Sequence, residues 1–346
     1  MLYGLRGVGK TVLLNRIRIE AESRGFVAAS IEAPENRSLP AILVPSLRSM
    51  LVKLSMRESA KAVAELALRT LSGFAKALKV KYQDIEVVLD VPAELGRGDS
   101  GDLEFDLRDL LEAVGLAAKA NDTAAILFID ELQYVKVREL EVLISALHSI
   151  SQKQIPITMV AAGLPQLLGQ MGKAKSYAER LFEFAHIDKL SREEAMVALA
   201  KPAEAEGAGF DDGAIDAIVD QTEGYPYFLQ EWGKHAWDIA EDGKITLRDA
   251  TQARSSALAE LDKGFFRVRF DRLTPSEKKY MRAMAVLGAG PHRSGDVAAK
   301  LKKKITTVAP VRNNLIAKGM AYSPAHGDIA FTVPMFDGFL KRTIPE

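Results

Sequence analysis

Residues 4–11 read Gly-Leu-Arg-Gly-Val-Gly-Lys-Thr, a full match to the pattern G-x-x-x-x-G-K-[ST]. In such a stretch the glycines permit a tight turn that points successive backbone N–H groups inward, toward an anion at a helix N-terminus. The lysine then reaches the β- and γ-phosphates of a nucleotide, and the hydroxyl holds Mg²⁺. The pattern therefore predicts a phosphate-binding loop that opens a helix. The residues predicted to contact nucleotide are Gly4, Gly7, Val8, Gly9, Lys10, Thr11 and Val12.

The strand that must precede this loop is short. Only Met1, Leu2 and Tyr3 come before Gly4, whereas strands usually have about 5–6 residues. We therefore expect a clipped first strand and a native protein, or relatives, that begin further upstream. The segment that normally covers the adenine from the N-terminal side is then expected to be missing from this sequence.

A second motif follows the apolar stretch 124–129, Ala-Ala-Ile-Leu-Phe-Ile, which ends in Asp130 and Glu131. Six apolar residues predict a strand buried on both faces, and ligands bind at the carboxyl ends of such strands. We expect Asp130 to reach Mg²⁺ through water and Glu131 to polarise the water that attacks the γ-phosphate. A buried strand that simply leaves into a charged turn is the alternative, and the phosphate-binding loop earlier in the chain favours the functional interpretation.

Composition narrows the class of protein. The 46 basic and 46 acidic side chains of the 346 residues cancel, so the chain as a whole favours no polyanionic partner. The sequence contains no cysteine and only five histidines, which excludes disulfides and makes a zinc site unexpected. No apolar run approaches the roughly 18 residues of a membrane span. We expect a soluble cytoplasmic protein with no membrane partner.

The charge is unevenly distributed. Residues 263–346 contain 16 Lys or Arg against 6 Asp or Glu, a net charge of about +10 that the rest of the chain must balance. This shift predicts a domain boundary near residues 265–272.

Periodicity and caps predict the order of the elements. Further strands are expected at 26–31, 85–91 (an inserted edge strand), 157–162 and ending near Leu190, and helices at 38–80, in two pieces, 103–120 and 137–150. Residues 191–260 are predicted as helices 192–206, 212–222, 226–241 and 247–261. Three shorter helices, capped at Thr274, Ser294 and either Thr306 or Thr307, and a hairpin of 320–322 with 329–333 predict a winged helix-turn-helix.

This order of elements resembles the AAA+ and STAND branches of P-loop ATPases, and more closely the archaeal and bacterial ATPases related to origin-recognition proteins. The resemblance implies an α/β P-loop NTPase fold with a parallel sheet in the order 5-1-4-3-2. It also implies ATP or ADP with Mg²⁺ between the sheet and a helical lid. The expected domains are an ATPase core at 1–190, a lid at 191–265 and a winged helix at 266–346.

Two departures from AAA+ proteins favour the STAND branch. The end of the fourth strand, where AAA+ proteins carry a polar sensor, reads Ala161-Ala162-Gly163. The lid contains Gly224-Tyr225-Pro226, which is similar to the Gly-x-Pro element whose proline packs on the nucleotide in STAND proteins. Pro226 could equally be a simple first-turn proline of a helix.

Arg180 matches the region where related ATPases carry an arginine that senses the γ-phosphate, either within the chain or from a neighbouring subunit. An exposed arginine paired with Glu179 or Glu183 is the alternative.

The basic region could bind duplex DNA. Seven cations lie on or near the predicted recognition helix, and contacts from such side chains to phosphates give salt-sensitive binding. They are Arg293, Lys300, Lys302, Lys303, Lys304, Arg312 and Lys318. Solvated charge, an internal brace and a dock for a protein partner are the alternatives. Trp232 and Trp237 are expected in the core.

The predicted function is a molecular switch that binds and slowly hydrolyses Mg-ATP, with Lys10, Glu131 and Arg180 as catalytic residues. Its nucleotide state would set how a winged helix docks on DNA or on a protein, with another copy of the chain as one alternative partner. An ATP-dependent DNA-binding initiator or loader is the main alternative. A third hypothesis is a degenerate scaffold that binds nucleotide without hydrolysing it.

Overall fold

The computed structural model describes residues 1–35, 37–79, 91–176, 178–211 and 213–344. These residues form two compact units. The first contains Met1–Tyr3 and Lys10–His186, and the second contains Gly4–Gly9 and Ile187–Glu346. Residues 85–90 of the edge strand predicted at 85–91 lie outside the described residues.

The first unit is built on a parallel sheet of five strands in the order β2-β3-β4-β1-β5. The strands are β1 (Leu2–Tyr3), β2 (Val27–Glu32), β3 (Ala125–Asp130), β4 (Ile157–Gly163) and β5 (Ala185–His186). Read from its other edge, this is the predicted order 5-1-4-3-2. The α/β fold class and the sheet topology are therefore confirmed.

Among the described residues of the first unit, seven α-helices accompany this sheet. They are α1 (Lys10–Ser23), α2 (Leu39–Ser55), α3 (Lys61–Lys79), α4 (Leu103–Ala120), α5 (Val137–Gln152), α6 (Gln166–Ala174) and α7 (Ala178–Leu181). The apolar faces of α2 to α5 pack with β3 into one core. Leu127 and Ile129 belong to this core, and Phe128 between them is buried as well, because a central parallel strand is covered on both faces.

The fifth strand was predicted to end near Leu190, and this prediction is wrong. β5 ends at His186, because its partner β1 offers only two residues, Leu2 and Tyr3, for pairing. The ring of Tyr3 stacks on that of His186, with the ring centroids 5.0 Å apart.

The second unit begins with four helices, α8 (Arg192–Ala205), α9 (Ala214–Thr222), α10 (Pro226–Ile239) and α11 (Leu247–Leu261), and a pair of short strands, β6 (Gly209–Phe210) and β7 (Lys244–Ile245). Capping boxes start α8 at Ser191 and α11 at Thr246, since each side chain accepts an N–H that the helix leaves unpaired. Trp232 is buried as predicted, but Trp237 is 41% exposed. Five residues advance a helix by about 140° beyond a full turn, so the two indoles face different directions.

The remainder of this unit is a helical and β region. It contains α12 (Arg267–Asp271), α13 (Pro275–Leu287), β8 (His292–Arg293), α14 (Ser294–Lys300), α15 (Ile305–Ala317), β9 (Ala321–Tyr322), β10 (Asp328–Phe331) and α16 (Phe336–Thr343). The predicted hairpin is present as β9 and β10, and β8 adds a third antiparallel strand to β10.

Two predicted helix starts in this region are wrong. Lys304 is the N-cap of α15, so Thr306 and Thr307 lie inside its first turn, and Arg293 rather than Ser294 is the N-cap of α14. Neither cap makes a side-chain hydrogen bond, so a pattern that looks for capping hydroxyls misplaces both starts. In the described part of the chain, no helix is both long and apolar enough to cross a membrane.

Candidate functional site

The predicted phosphate-binding loop has the backbone that its glycines permit. Gly7 and Gly9 have φ angles of +82° and +91°, a region that residues with a Cβ adopt at a cost. Helix α1 begins directly afterwards at Lys10, whose side chain is buried. Val8 is also buried, whereas Val12 is 75% exposed on the first turn of α1.

Gly4 opens the loop where the chain leaves β1. A Cβ at this position would lie 1.9 Å from the carbonyl oxygen of Ile187, so the close approach of two backbones requires glycine here.

In the first unit, the structure brings Thr11 and Asp130 together from positions 119 residues apart. The Thr11 hydroxyl donates to Oδ2 of Asp130 over 2.6 Å, and Oδ1 of Asp130 accepts the N–H of Glu131 over 2.8 Å. A hydroxyl and a carboxylate are oxygen ligands of the kind that Mg²⁺ prefers, with phosphates and water as its other ligands. No group of three or more His, Cys, Asp or Glu suited to a metal occurs among the described residues. A Mg²⁺ ion at this place could take these two oxygens together with phosphate and water oxygens.

Glu131 follows β3 in a left-handed conformation, with φ +52° and ψ +36°. Its Oε2 accepts a short hydrogen bond from Nε2 of Gln133. Gln133 is buried, and the sequence reasoning did not single it out. The available signal was a polar residue two positions after the carboxylate pair, but composition does not reveal that this side chain turns back toward the pair.

Arg180 lies on the short helix α7 and is exposed. Within the described ranges, no ion pair joins it to Glu179 or Glu183, the partners considered for a purely structural role. The structure does not bring Arg180 into contact with Thr11, Asp130 or Glu131.

In the second unit, Tyr227, which directly follows the Gly-Tyr-Pro sequence at 224–226, contacts Gly7 of the predicted phosphate-binding loop. Pro226 is the first residue of α10, and the N–H of Tyr227 donates to the carbonyl oxygen of Gly7 over 3.1 Å. Gly224 has φ +76°, and its carbonyl oxygen accepts the N–H of Leu190 over 3.0 Å. The glycine and the proline of this element thus lie on either side of Tyr225.

Tyr225 itself is half-buried. Burial raises the pKa of its phenol to about 12, and the nearby carboxylates Asp188 and Glu223 add to this shift. The phenol is therefore neutral at physiological pH.

A further contact joins the loop to the C-terminal region of the same unit. The backbone N–H of Arg6 donates to the carbonyl oxygen of Thr332 over 3.0 Å. Thr332 is buried, and its hydroxyl donates to the carbonyl oxygen of Gly319 over 2.6 Å. The separation of 326 residues between Arg6 and Thr332 leaves no local sequence signal for this contact.

Three of the seven candidate DNA-binding cations form internal bonds. Arg293 pairs with Asp328 at 3.2 Å, and Lys318 pairs with Glu277 at 2.8 Å. Arg312 donates to the hydroxyl of Ser323 over 2.9 Å. The other four, Lys300, Lys302, Lys303 and Lys304, are exposed at the end of α14 and in the turn before α15.

Comparisons with known proteins agree with the fold and the motif. Residues 1–160 match the family described as AAA ATPase domain, and residues 263–340 match a family described as Domain of unknown function (DUF8462). A search of curated proteins found no match.

Solved structures of low sequence identity share the fold. The Walker-type ATPase of Pyrococcus abyssi is 16% identical, with a TM-score of 0.62 over 98% of this chain and 90% of that one. The ORC2 protein of Aeropyrum pernix, solved as ADPNP-ADP complexes, is 14% identical, with a TM-score of 0.52 over 100% of this chain and 88% of that one.

Proposed function

We propose that this chain, whose residues 1–160 match the family described as AAA ATPase domain, binds Mg-ATP, hydrolyses it slowly and acts as a molecular switch. The observation that carries this proposal is the contact between Thr11 and Asp130. It joins the last residue of the phosphate-binding loop to the carboxylate at the end of strand β3.

Each residue of the proposed site has a chemical role. The N–H groups of the loop and the ammonium of Lys10 would bind the β- and γ-phosphates. Thr11 would ligate Mg²⁺ directly and Asp130 through water, and the ion would offset charge on the phosphates during transfer. Glu131 would polarise the attacking water. Val12 would contact the nucleoside, and its exposure in the first turn of α1 leaves room for that contact.

The proposed switch depends on two backbone hydrogen bonds of the loop. Gly7 accepts a bond from the start of α10, and Arg6 donates one to Thr332 in the C-terminal region. A loop conformation that differs between the ATP and ADP states would change both bonds together. Nucleotide could therefore shift the population of states in which the C-terminal region meets a partner. The hydrogen bond from Tyr227, the residue after Pro226, to Gly7 of the loop supports a STAND-type switch, in which Pro226 would pack on the nucleotide.

We further propose the domain division 1–190, 191–265 and 266–346, with the last forming a winged helix-turn-helix. Arg180, which is exposed on α7, would act on the γ-phosphate of a neighbouring copy, where a guanidinium stabilises the charge that develops during transfer.

The first test is ATP binding and turnover of the full chain as a function of protein concentration. We expect Lys10→Ala to abolish ATP binding, and Glu131→Gln to keep binding but lose turnover. Lys119→Ala, at an exposed position on α4, is the charge-matched control and should behave as wild type. Unchanged ATP binding in Lys10→Ala would refute the proposed site. A specific rate that rises with concentration and falls in Arg180→Ala would support action between copies.

A DNA-binding initiator or loader is the second candidate, favoured by the four exposed lysines at 300 and 302–304. We expect the full chain to bind duplex DNA with a salt dependence. Replacing Lys302, Lys303 and Lys304 by Gln would lower the slope by up to about 2.7, since each phosphate contact contributes about 0.9.

The matched control for that variant replaces three exposed lysines of the first unit, Lys53, Lys61 and Lys76, by Gln. An equal loss in both variants would show that only overall charge matters. Absence of salt-dependent binding in the wild type would point to a protein partner instead.

A further inference from the structure

The side chain of Gln133 connects the predicted water-activating carboxylate to the end of the neighbouring strand. Its Nε2 donates to Oε2 of Glu131, and its Oε1 accepts the backbone N–H of Leu164 over 3.0 Å. Leu164 directly follows β4. The amide is buried and uses both of its ends, as a buried amide must to offset the loss of water.

Neighbouring residues hold this amide in place. The backbone oxygen of Gln133 accepts a bond from Nε2 of Gln170 on α6 over 3.1 Å. A Cβ on Gly163 would lie 2.7 Å from Oε1 of Gln133 and 3.0 Å from Cδ2 of Leu167. The missing side chain at Gly163 therefore provides the space that the Gln133 amide occupies.

Glu131 needs such a support. Its left-handed backbone, with φ +52°, is a conformation that non-glycine residues adopt at a cost and that surrounding contacts must maintain. The end of β4 reads Ala161-Ala162-Gly163 and has no polar side chain with which to orient the carboxylate. The polar connection from β4 to Glu131 therefore passes through the backbone N–H of Leu164 and the side chain of Gln133.

We propose that Gln133 is a positioning residue that holds the Glu131 carboxylate in the orientation required for water activation. This inference rests on the proposed role of Glu131 in ATP hydrolysis. Water activation depends on a base within hydrogen-bonding reach of its proton, and small misplacements of reacting groups reduce rates strongly. The hydrogen bonds of Gln133 go to Glu131, Leu164 and Gln170, so we expect its effect on the chemical step rather than on ATP affinity.

The first experiment removes the polar amide at similar volume, in Gln133→Leu. We expect kcat for ATP to fall about 10- to 100-fold. The Kd for ATP should stay within twofold of wild type, and the Tm should stay within a few degrees of it. Parallel losses of kcat, ATP affinity and Tm would indicate a merely structural role and overturn the proposal.

A second variant displaces the amide without touching a polar group. Gly163→Ala adds one methyl group next to Oε1 of Gln133, so the amide must move and kcat should fall at least fivefold. Gly169→Ala is the matched control, because a Cβ there meets no atom within 4 Å, and it should keep the wild-type kcat. If Gln133→Leu fails to fold, the comparison of Gly163→Ala with Gly169→Ala still tests the role of Gln133.

A third variant tests the hydrogen bond to Glu131 specifically. Gln133→Glu keeps the length of the side chain and an oxygen that can accept the N–H of Leu164, but it sets two carboxylates against each other. We expect kcat to fall at least as far as in Gln133→Leu, with the Kd for ATP within twofold of wild type, because the hydrogen bond to Glu131 is replaced by repulsion. A wild-type kcat in Gln133→Glu would count against the proposal.

The outcomes separate this inference from the proposed function. Absence of ATP turnover in the wild type would overturn both. Wild-type turnover that requires Glu131, together with kcat values within twofold in both Gln133→Leu and Gly163→Ala, would overturn the role of Gln133 alone.

Discussion

Gly224→Ala tests whether the Gly-Tyr-Pro element is held by a close backbone contact. A Cβ at Gly224 would lie 2.5 Å from the carbonyl oxygen of Leu190, and Cβ atoms essentially never come closer than 3.0 Å to another group. The two backbones must therefore separate by at least about 0.5 Å. This movement strains the bond of 3.0 Å from the N–H of Leu190 to the carbonyl oxygen of Gly224.

Two contributions set the expected loss of free energy of unfolding in Gly224→Ala. Alanine in a left-handed conformation costs about 1–2 kcal/mol, and Gly224 has φ +76°. Weakening the hydrogen bond to Leu190 adds about 1 kcal/mol, and residual strain adds to it. Gly207→Ala is the matched control, because Gly207 has φ +77° and a Cβ there meets no atom within 4 Å. We expect Gly224→Ala to cost about 1–2 kcal/mol more than Gly207→Ala.

Tryptophan fluorescence can report unfolding of the region around residues 224–226. Both tryptophans of the chain, Trp232 and Trp237, lie on α10, directly after this element. Their fluorescence during urea unfolding reports the free energy of unfolding of this region for each variant. ADP binding measured on the same samples should weaken more in Gly224→Ala, if Pro226 contacts nucleotide. Equal unfolding midpoints for the two variants would refute the reasoning from the close contact.

Two further predictions concern the metal and the pH. Thr11→Ala should raise the Mg²⁺ concentration needed for half-maximal ATPase activity at least tenfold, and an unchanged Mg²⁺ titration would remove Thr11 from the metal site. Burial would raise the pKa of Glu277, but hydrogen bonds from Lys318 and Thr274 outweigh it and hold that pKa below the usual 4.5. The stability that this carboxylate contributes is thus complete above about pH 4.5 and is lost as the pH falls through its lower folded value. Glu277→Gln should cost about 1–3 kcal/mol at pH 7, and this cost should shrink as the pH falls below about 4.5, as measured by thermal unfolding. A cost that does not change with pH would contradict this.

The structure confirms those predicted elements whose sequence signals lie within a few neighbouring residues. The loop at 4–11 and the apolar strand before Asp130 are local patterns. Helices such as 103–120 and 247–261 were predicted at their observed bounds, because caps and periodicity act over a few residues. The sheet order came from the resemblance to P-loop ATPases, whose topology fixes where each strand lies.

Tertiary structure decided which side chains meet. Sequence placed Asp130 and Glu131 at a strand end, but only the fold brings the hydroxyl of Thr11 to Asp130 and the amide of Gln133 to Glu131. The exposure of Trp237 likewise depends on which face of α10 finds neighbours.

The contact of Arg6 with Thr332 joins two backbones across 326 residues. Backbone groups are alike at every position, so no residue type marks such a contact in the sequence. The sequence by itself therefore determined the local chemistry of this protein, a phosphate-binding loop and a carboxylate pair. The tertiary structure decided how that loop connects to the rest of the chain, because those connections depend on distance in space rather than on residue spacing.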